Sequence, residues 1–400
     1  MNILYLLNSA PGDMSFGGAQ RNSRLYDALT AVGNVYCIHF GTAERDNERI
    51  KKATFSIASG WRAHINGLWM RLYRKLVPMQ WWEKPIWMPC RYETGIRGLF
   101  PGVKFDCVVA RHFPELGWAH LWNLGPVFVD MDDTPLQLFE TLHAGRLGWC
   151  RRWIARLLMR YSIANVERHV DGGWVSRNDQ FGDVHFKSRP FVLPNIPNFP
   201  SPGYLPVAER KNYIFTIGSL NYAPNIDGID VFLRDIWPKV HEAYPMLEYL
   251  IAGKFLIPDN EARWSAVEGV KVVGFVDDLT DLYRHALACV VPVEKGSGTC
   301  IKTLEAMAYS RVCLATPFGA RGIPDSDLVD GRAGVLVYRN ADGFMRLFGQ
   351  LDSDVGWRRT VEQAGRRYAE ENYSAAAFLR QVERGLESGF EAENGSECQQ

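Results

Sequence analysis

The chain has 400 residues, 47% of them hydrophobic, and its 45 basic and 45 acidic side chains leave no formal net charge. That is more chain than one ordinary core organises, so two domains are expected. The zero balance argues against a general nucleic-acid binder, which needs a basic excess to neutralise phosphates.

The first residues, Met1-Asn2-Ile3-Leu4-Tyr5-Leu6-Leu7, lack the basic flank and longer apolar run of a signal peptide and read as a buried strand. No run is long enough to cross a bilayer, so folding in the cytoplasm is expected. After strand 3–7 come Phe16-Gly17-Gly18, a helix through Leu29, and strands at 35–40, 106–110, 127–131 and 173–175, an α/β layer with insertions. Residues 193–203, Leu-Pro-Asn-Ile-Pro-Asn-Phe-Pro-Ser-Pro-Gly, are too rich in proline for an element and read as an interdomain linker. The second half alternates more clearly. Strand 213–217 and helix 226–240 precede strands 247–252 and 270–273, helix 279–286, strand 289–293, a helix from near Thr299, and strands 312–316 and 334–337. Strands separated by helices imply βαβ units, a parallel sheet and ligands at its carboxyl edge or in a cleft between domains. The polar, acidic residues 391–400 read as a disordered tail.

The most informative segment is residues 294–308, Glu-Lys-Gly-Ser-Gly-Thr-Cys-Ile-Lys-Thr-Leu-Glu-Ala-Met-Ala, where a strand passes through a Gly-rich turn into a helix. Free N–H groups of the first helical turn, with Gly296 and Gly298 letting a ligand approach the backbone, make an anion site. Ile301, Leu304 and Ala308 share one face of that helix and Glu305 lies at its edge. A half-buried carboxylate needs donors, and the vicinal hydroxyls of a ribose suit it. Lys302 either reaches a diphosphate or pairs with Glu305. A tight turn carrying a surface ion pair fits the same residues.

The eight cysteines, Cys37, Cys90, Cys107, Cys150, Cys289, Cys300, Cys313 and Cys398, show no metal-ligand spacing and read as reduced core residues. Trp61, Trp69, Trp81, Trp82 and Trp87 alternate with Arg62, Arg71, Arg74, Lys75, Lys84 and Arg91, and Arg146, Trp149, Arg151, Arg152, Trp153, Arg156 and Arg160 form a second such segment. Amphipathic stretches of this kind either lie at a membrane interface or pack as ordinary helices with arginines outside.

The ordered series Gly218-Ser219, Pro224-Asn225, Gly274-Phe275-Val276, Gly296-Ser297-Gly298-Thr299, Lys302, Leu304-Glu305-Ala306-Met307-Ala308, Thr316-Pro317-Phe318-Gly319 and Gly322-Ile323 resembles the GT-B glycosyltransferases of family 4, in the branch that makes bacterial surface polysaccharides. The resemblance implies two Rossmann-like domains facing across a cleft: an acceptor-binding domain over 1–192, a linker over 193–211, a donor-binding domain over 212–370, and a helix over 371–390 returning to the first domain. It implies a retaining transfer from a nucleotide-diphosphate sugar, with no metal or other cofactor. Glu305 would grip the ribose, and Gly274, Phe275 and Val276 the base. Gly296, Ser297, Gly298 and Thr299 would hold the diphosphate and sugar, with Gly218 and Asn225 alongside. Two departures stand out. The glutamate that many members carry eight positions before Glu305 is Ser297 here, and their Arg and Lys after the first strand of the domain are Ser219 and Asn225. Diphosphate neutralisation must then come from Lys302 first, or from Lys295 and Arg321.

In the first half, Gly17 and Gly18 match the family loop that approaches the phosphate and acceptor. His112, straight after a strand, matches a histidine placed against the donor sugar. Asp132 and Asp133, after the next strand, either line the acceptor cleft or cap a helix before Thr134-Pro135. If the basic, aromatic segments meet lipid, the acceptor is a lipid-linked glycan and the enzyme is peripheral on the inner face of the cytoplasmic membrane. Two rivals remain. A nicotinamide-dependent oxidoreductase needs Gly-x-Gly-x-x-Gly after an early strand, which Phe16-Gly17-Gly18-Ala19-Gln20 does not supply. A catalytically silent scaffold of the same fold is compatible with Ser219, Asn225 and Ser297.

Overall fold

A computed structural model of the chain describes residues 1–12, 17–39, 47–53, 60–77, 85–91, 96–143, 147–200, 212–296 and 299–397. They form two compact units, Met1–Pro194 with Phe378–Gln400, and Asn195–Ala377. Ser297 and Gly298, two of the expected donor residues, lie outside the described residues, as do Trp81, Trp82, Lys84, Arg146 and Cys398.

The first unit contains β1 (Asn2–Leu7), β2 (Asn34–His39), β3 (Ile50–Lys52), β4 (Cys107–Arg111), β5 (Val127–Met131), β6 (Gly172–Val175) and β7 (Phe191–Val192). They form one sheet in the order β3-β2-β1-β4-β5-β6-β7, and every pairing is parallel. β4 and β5 are buried along their whole length, as strands covered on both faces must be, which is why they read as apolar runs. The strand order reverses between β1 and β4. Crossovers leave a crevice at the carboxyl ends of the strands there.

The second unit repeats the plan. β8 (Tyr213–Ile217), β9 (Glu248–Ala252), β10 (Val270–Gly274), β11 (Ala288–Val291), β12 (Cys313–Ala315) and β13 (Val335–Val337) pair in parallel as β10-β9-β8-β11-β12-β13. The reversal falls between β8 and β11. Its two faces carry separate cores, one around Phe232, Trp237 and Tyr249 and one around Phe215, Tyr283 and Met307.

Several elements differ from the sequence expectation. β3 and β7 are short edge strands without the alternation or apolar run that identifies a strand. The single helix expected at 226–240 is two, Ala223–Asp235 and Trp237–Ala243, because Pro238 has no N–H to continue the ladder and its ring clashes with the preceding turn. Residues 391–397 of the expected tail are instead the end of a helix, Ala375–Glu397, and 398–400 lie outside the described residues. That helix belongs to the first unit from Phe378 onward. It packs on β5 and β6, where a Cβ on Gly389 would stand 2.2 Å from the Phe128 ring and Trp174 Nε1 donates to the Gln381 carbonyl at 2.9 Å. Cys150 is exposed, unlike the buried Cys37, Cys107, Cys289 and Cys313.

Candidate functional site

At the strand-order reversal of the second unit, β8 ends in Gly218-Ser219 and β11 in the turn through Lys295 and Gly296. The helix that follows is Ile301–Ala308, two residues later than expected from Thr299, and its N-cap is Cys300, whose side chain makes no capping bond. The first-turn N–H groups therefore lack the side-chain acceptor that Ser, Thr, Asp or Asn would give. Thr299 Oγ1 is buried with no hydrogen-bond partner among the described residues. Gly296 adopts φ 141°, which favours glycine, and a Cβ there would approach the Phe318 ring and the Tyr222 hydroxyl, both at 3.6 Å.

Lys302 extends from the first turn to the end of β8. Its Nζ donates to Asn225 Oδ1 at 2.6 Å, while Asn225 Nδ2 donates to the Ser219 carbonyl at 2.9 Å. Gly218 makes room for both: a Cβ there would lie 2.8 Å from Asn225 Nδ2 and 3.1 Å from Lys302 Nζ. Lys302 thus brings a cation to the strand end where Ser219 and Asn225 supply none. Burial lowers its pKa, opposed by the neighbouring Cys300 and Cys289 thiols and then by Glu305. The contact is to Asn225, and of the two partners the sequence suggests for Lys302, Glu305 is not in an ion pair with it among the described residues.

Glu305 is only 9% exposed. The helix is buried nearly all round from Thr303 to Ala308, so its carboxylate is inside rather than at the edge of an apolar stripe. Burial raises its pKa to about 7, restrained by Lys302 and by hydrogen bonds from the backbone and side chain of Asn198. In the sequence Asn198 reads only as linker. Its proline-rich surroundings hid it, since nothing in the spacing joins it to a helix more than a hundred residues away.

The other expected donor residues spread along the same sheet edge. Gly274 ends β10 with φ 71° and its carbonyl accepts from Gly253 N at 2.7 Å. Phe275 is exposed, with Lys254 Nζ 4.8 Å from its ring centroid, and Val276 packs partly into the core. Lys254 is a further cation that no motif marked. Lys295 points away into an exposed ion pair with Asp227 at 2.5 Å, and Arg321 lies over the Phe318 ring at 5.4 Å.

The reversal in the first unit is built differently. Gly17 and Gly18 open the helix Gly17–Val32 rather than lying in a loop before it. One turn on, Arg21 donates twice to Asp130, at 2.8 and 2.6 Å, and once to the Leu193 carbonyl at 2.8 Å. Arg111, at the end of β4, donates to Asn22 Oδ1 and the Asp130 carbonyl, both at 3.0 Å, and its Nη2 lies 2.6 Å from Asp132 Oδ2. Asp132 is therefore fastened inside an ion network. Burial works against its charge, but Arg111, His112 and Arg21 together outweigh it and hold the carboxyl below the usual range. Asp133 follows in the turn that enters the helix Pro135–His143.

His112 stands where this network meets the strand ends. Its φ of 70° with ψ 170° is a conformation that side chains bearing a Cβ rarely adopt and that costs about 1–3 kcal/mol. Burial first, then the Arg111 charge, lower its pKa to about 4, against the attraction of Asp132, whose Oδ1 is 3.6 Å from Nε2. Nδ1 is buried without a hydrogen-bond partner among the described residues. The imidazole is neutral at pH 7 and holds one nitrogen unused. Among the described residues no three His, Cys, Asp or Glu side chains gather as a metal site.

Residues 211–354 match the family model described as glycosyl transferases group 1. No curated protein matches. Among solved structures, the chain is similar to sucrose-phosphate synthase from Thermosynechococcus elongatus at 14% identity and TM-score 0.64, covering 98% of this chain and all of that one. It is similar to Anabaena HepE, solved with UDP, at 12% identity and TM-score 0.61, over 97% of this chain and all of that one. A glycosyltransferase from Rickettsia africae aligns at 13% identity and TM-score 0.57, over 98% of both chains. At such identities the likeness speaks for the fold, which is the doubly wound α/β pair expected from the sequence.

Proposed function

We propose, for a chain that carries a group 1 glycosyl transferase domain on a GT-B fold and is a glycosyltransferase, that it moves a sugar from a nucleotide-diphosphate sugar to a lipid-linked glycan. The transfer retains anomeric configuration, serves surface polysaccharide synthesis and takes place at the inner face of the cytoplasmic membrane. The observation that carries the donor half is the Lys302 ammonium seated over Gly218 at the end of β8, beside a helix N-terminus whose N-cap residue, Cys300, makes no side-chain capping bond.

In this reading the anomeric C–O bond breaks toward the diphosphate. The charge that develops on the leaving oxygen is met by Lys302 and the first-turn N–H groups, fixed in place before the reaction. Glu305 accepts from the ribose hydroxyls, and those donors bring its carboxyl down from about 7. The base lies against Gly274, Phe275 and Val276, and Gly296, Ser297, Gly298 and Thr299 surround the diphosphate and sugar. His112, neutral and with Nδ1 unused, takes a hydroxyl of the sugar. The acceptor oxygen forms the new bond and its proton leaves with the nucleoside diphosphate. Gly17, Gly18, Asp132 and Asp133 serve the acceptor side. No metal is required, because the diphosphate charge is met by Lys302 and the helix end.

UDP is the first nucleotide to test, since HepE was solved with it. The experiment is donor consumption with UDP-, GDP- and ADP-sugars over bacterial membrane lipid, with and without EDTA. The reading expects label in the lipid fraction from one donor class, indifferent to EDTA and abolished in Lys302→Met. Label confined to free sugar with every donor, or turnover unchanged in Lys302→Met, would contradict it.

A further inference from the structure

Two helices of the first unit present the same exposed apolar surface, closed at one end where the Tyr161 ring packs against Trp69 and Trp87. In Trp61–Leu76, the spacing of Trp61, Ile65, Leu68 and Leu72 puts all four on one strip of the helix, and all four are exposed, Trp61 at 65% and Leu68 at 51%. In Trp149–Glu167, Trp149, Trp153, Leu157 and Tyr161 do the same one turn apart, with Trp149 at 81% and Trp153 at 61%, opposite the buried Ala155, Met159, Ile163 and Val166. The helices are neighbours, joined where Arg151 Nη2 donates to the Lys75 carbonyl at 3.1 Å. An isolated exposed apolar side chain needs no explanation, but two ordered strips side by side do.

The exposed charges that the two helices themselves carry are of one sign. The two helices contain eight arginines and lysines, and their only acidic residue is Glu167, which is buried and accepts from His185 N at 3.0 Å. Arg152 and Arg156 are occupied by Glu140. Arg62, Arg71, Arg74, Lys75, Arg151 and Arg160 form no ion pair among the described residues. Exposed tryptophan bordered by uncompensated arginine matches a surface whose outer layer is anionic and whose next layer is hydrocarbon. A protein partner would need a carboxylate-rich rim around an apolar centre; an anionic bilayer supplies both layers without any particular sequence.

We propose that these two helices together are a docking face for an anionic phospholipid bilayer, with Trp61, Trp149 and Trp153 at headgroup depth and the six unpaired cations over the lipid phosphates. The proposal rests on the membrane-side half of the function proposed above and names the surface that performs it. No described helix is long and apolar enough to cross a membrane; the contact proposed is with one leaflet.

The test is flotation of the full chain with vesicles of phosphatidylglycerol and phosphatidylcholine against vesicles of phosphatidylcholine alone, at low and high salt. The variants are Trp149→Ala/Trp153→Ala and Arg71→Glu/Arg160→Glu. All four positions are exposed, so thermal melting is expected to stay at the wild-type value and confirm intact folding. The expected result is binding to the anionic vesicles that weakens with salt and falls roughly tenfold or more in each variant. In the bound wild type, brominated lipid quenches tryptophan emission. Equal binding to both vesicle types, no binding, or a wild-type oligomer that the tryptophan pair dissolves would overturn the proposal, the last by making the face a self-association surface. UDP binding measured on the same samples separates the two readings. Vesicle binding lost with UDP binding kept defeats docking alone, and UDP binding absent with vesicle binding present defeats the donor assignment alone.

Discussion

The two strand-order reversals share a topology and differ in how their charges are matched. In the first unit Asp130 faces Arg21 and Asp132 faces Arg111, and Arg21, Arg111 and Asp130 are almost wholly out of solvent. In the second, the Lys302 ammonium rests on the neutral amide of Asn225 and the Glu305 carboxylate on Asn198, and among the described residues neither has a counter-ion in contact. A closed ion network fixes geometry, because breaking one partner strands a buried charge. Charges held on neutral dipoles remain available to a ligand that brings its own opposite charge or its own donors. One site is built to hold His112 in place; the other keeps its charge in reserve.

That contrast predicts opposite mutational signatures. The largest effect on stability belongs to the closed network: Arg111→Met leaves Asp132 unpaired, and urea unfolding should register a loss of about 3–5 kcal/mol. Lys302→Met is the reverse case, little changed in unfolding midpoint but at least roughly a hundredfold lower in kcat/KM for donor turnover. Equal stability losses in the two variants would erase the distinction.

A finer prediction concerns the strained histidine. His112→Gly accommodates φ 70° without a Cβ, so it should be about 1–2 kcal/mol more stable than His112→Ala by denaturant titration, with transfer reduced in both. If the two variants unfold together, the strain is not stored there. The His112 pKa also has a pH consequence. Being depressed to about 4, it contributes stability that is present above its unfolded value near 6.5 and is lost as pH falls toward 4; the His112→Gln protein should lack that part of the pH–stability curve.

The smallest expected effect separates Glu305 from its neighbours. With a pKa raised to about 7, it favours the folded state below its unfolded value near 4.5, and that advantage disappears as pH rises through 7. Ribose hydroxyls favour the ionised form, so nucleotide binding should release part of a proton near pH 7. The calorimetric enthalpy should then vary with the ionisation heat of the buffer in wild type and vary less in Glu305→Gln. No difference between the two proteins would remove Glu305 from the ribose.

Much of this contrast was legible in the sequence on one side only. The Gly-rich turn, Lys302 and Glu305 stand within twelve residues of one another, and local order carried them: a buried strand, glycines, then a helix with charge in its buried face. Even there the wheel placed Glu305 at an edge, whereas the helix is enclosed on nearly every side. The network around His112 joins Arg21, Arg111 and Asp132 across more than a hundred positions, and only the parallel pairing of β1, β4 and β5 brings them together. His112 itself is marked by the family resemblance at its place after a strand; the arginines that govern it carry no local pattern. Asn198 and Lys254 escape local pattern in the same way: Asn198 reaches Glu305 from a stretch without regular structure, and Lys254 meets Phe275 because β9 and β10 are neighbours in the sheet. The edge strands β3 and β7 are too short to show a period at all.

The most direct test of the central claim is titration calorimetry of UDP, GDP and ADP into wild type, Glu305→Ala and Lys302→Met, with EDTA present throughout. The account predicts binding of one nucleoside diphosphate to wild type in EDTA, weakened roughly tenfold or more by each substitution at unchanged melting temperature. Binding of equal strength in all three proteins would contradict it, because the reserve charge at the end of β8 would then have no ligand to meet.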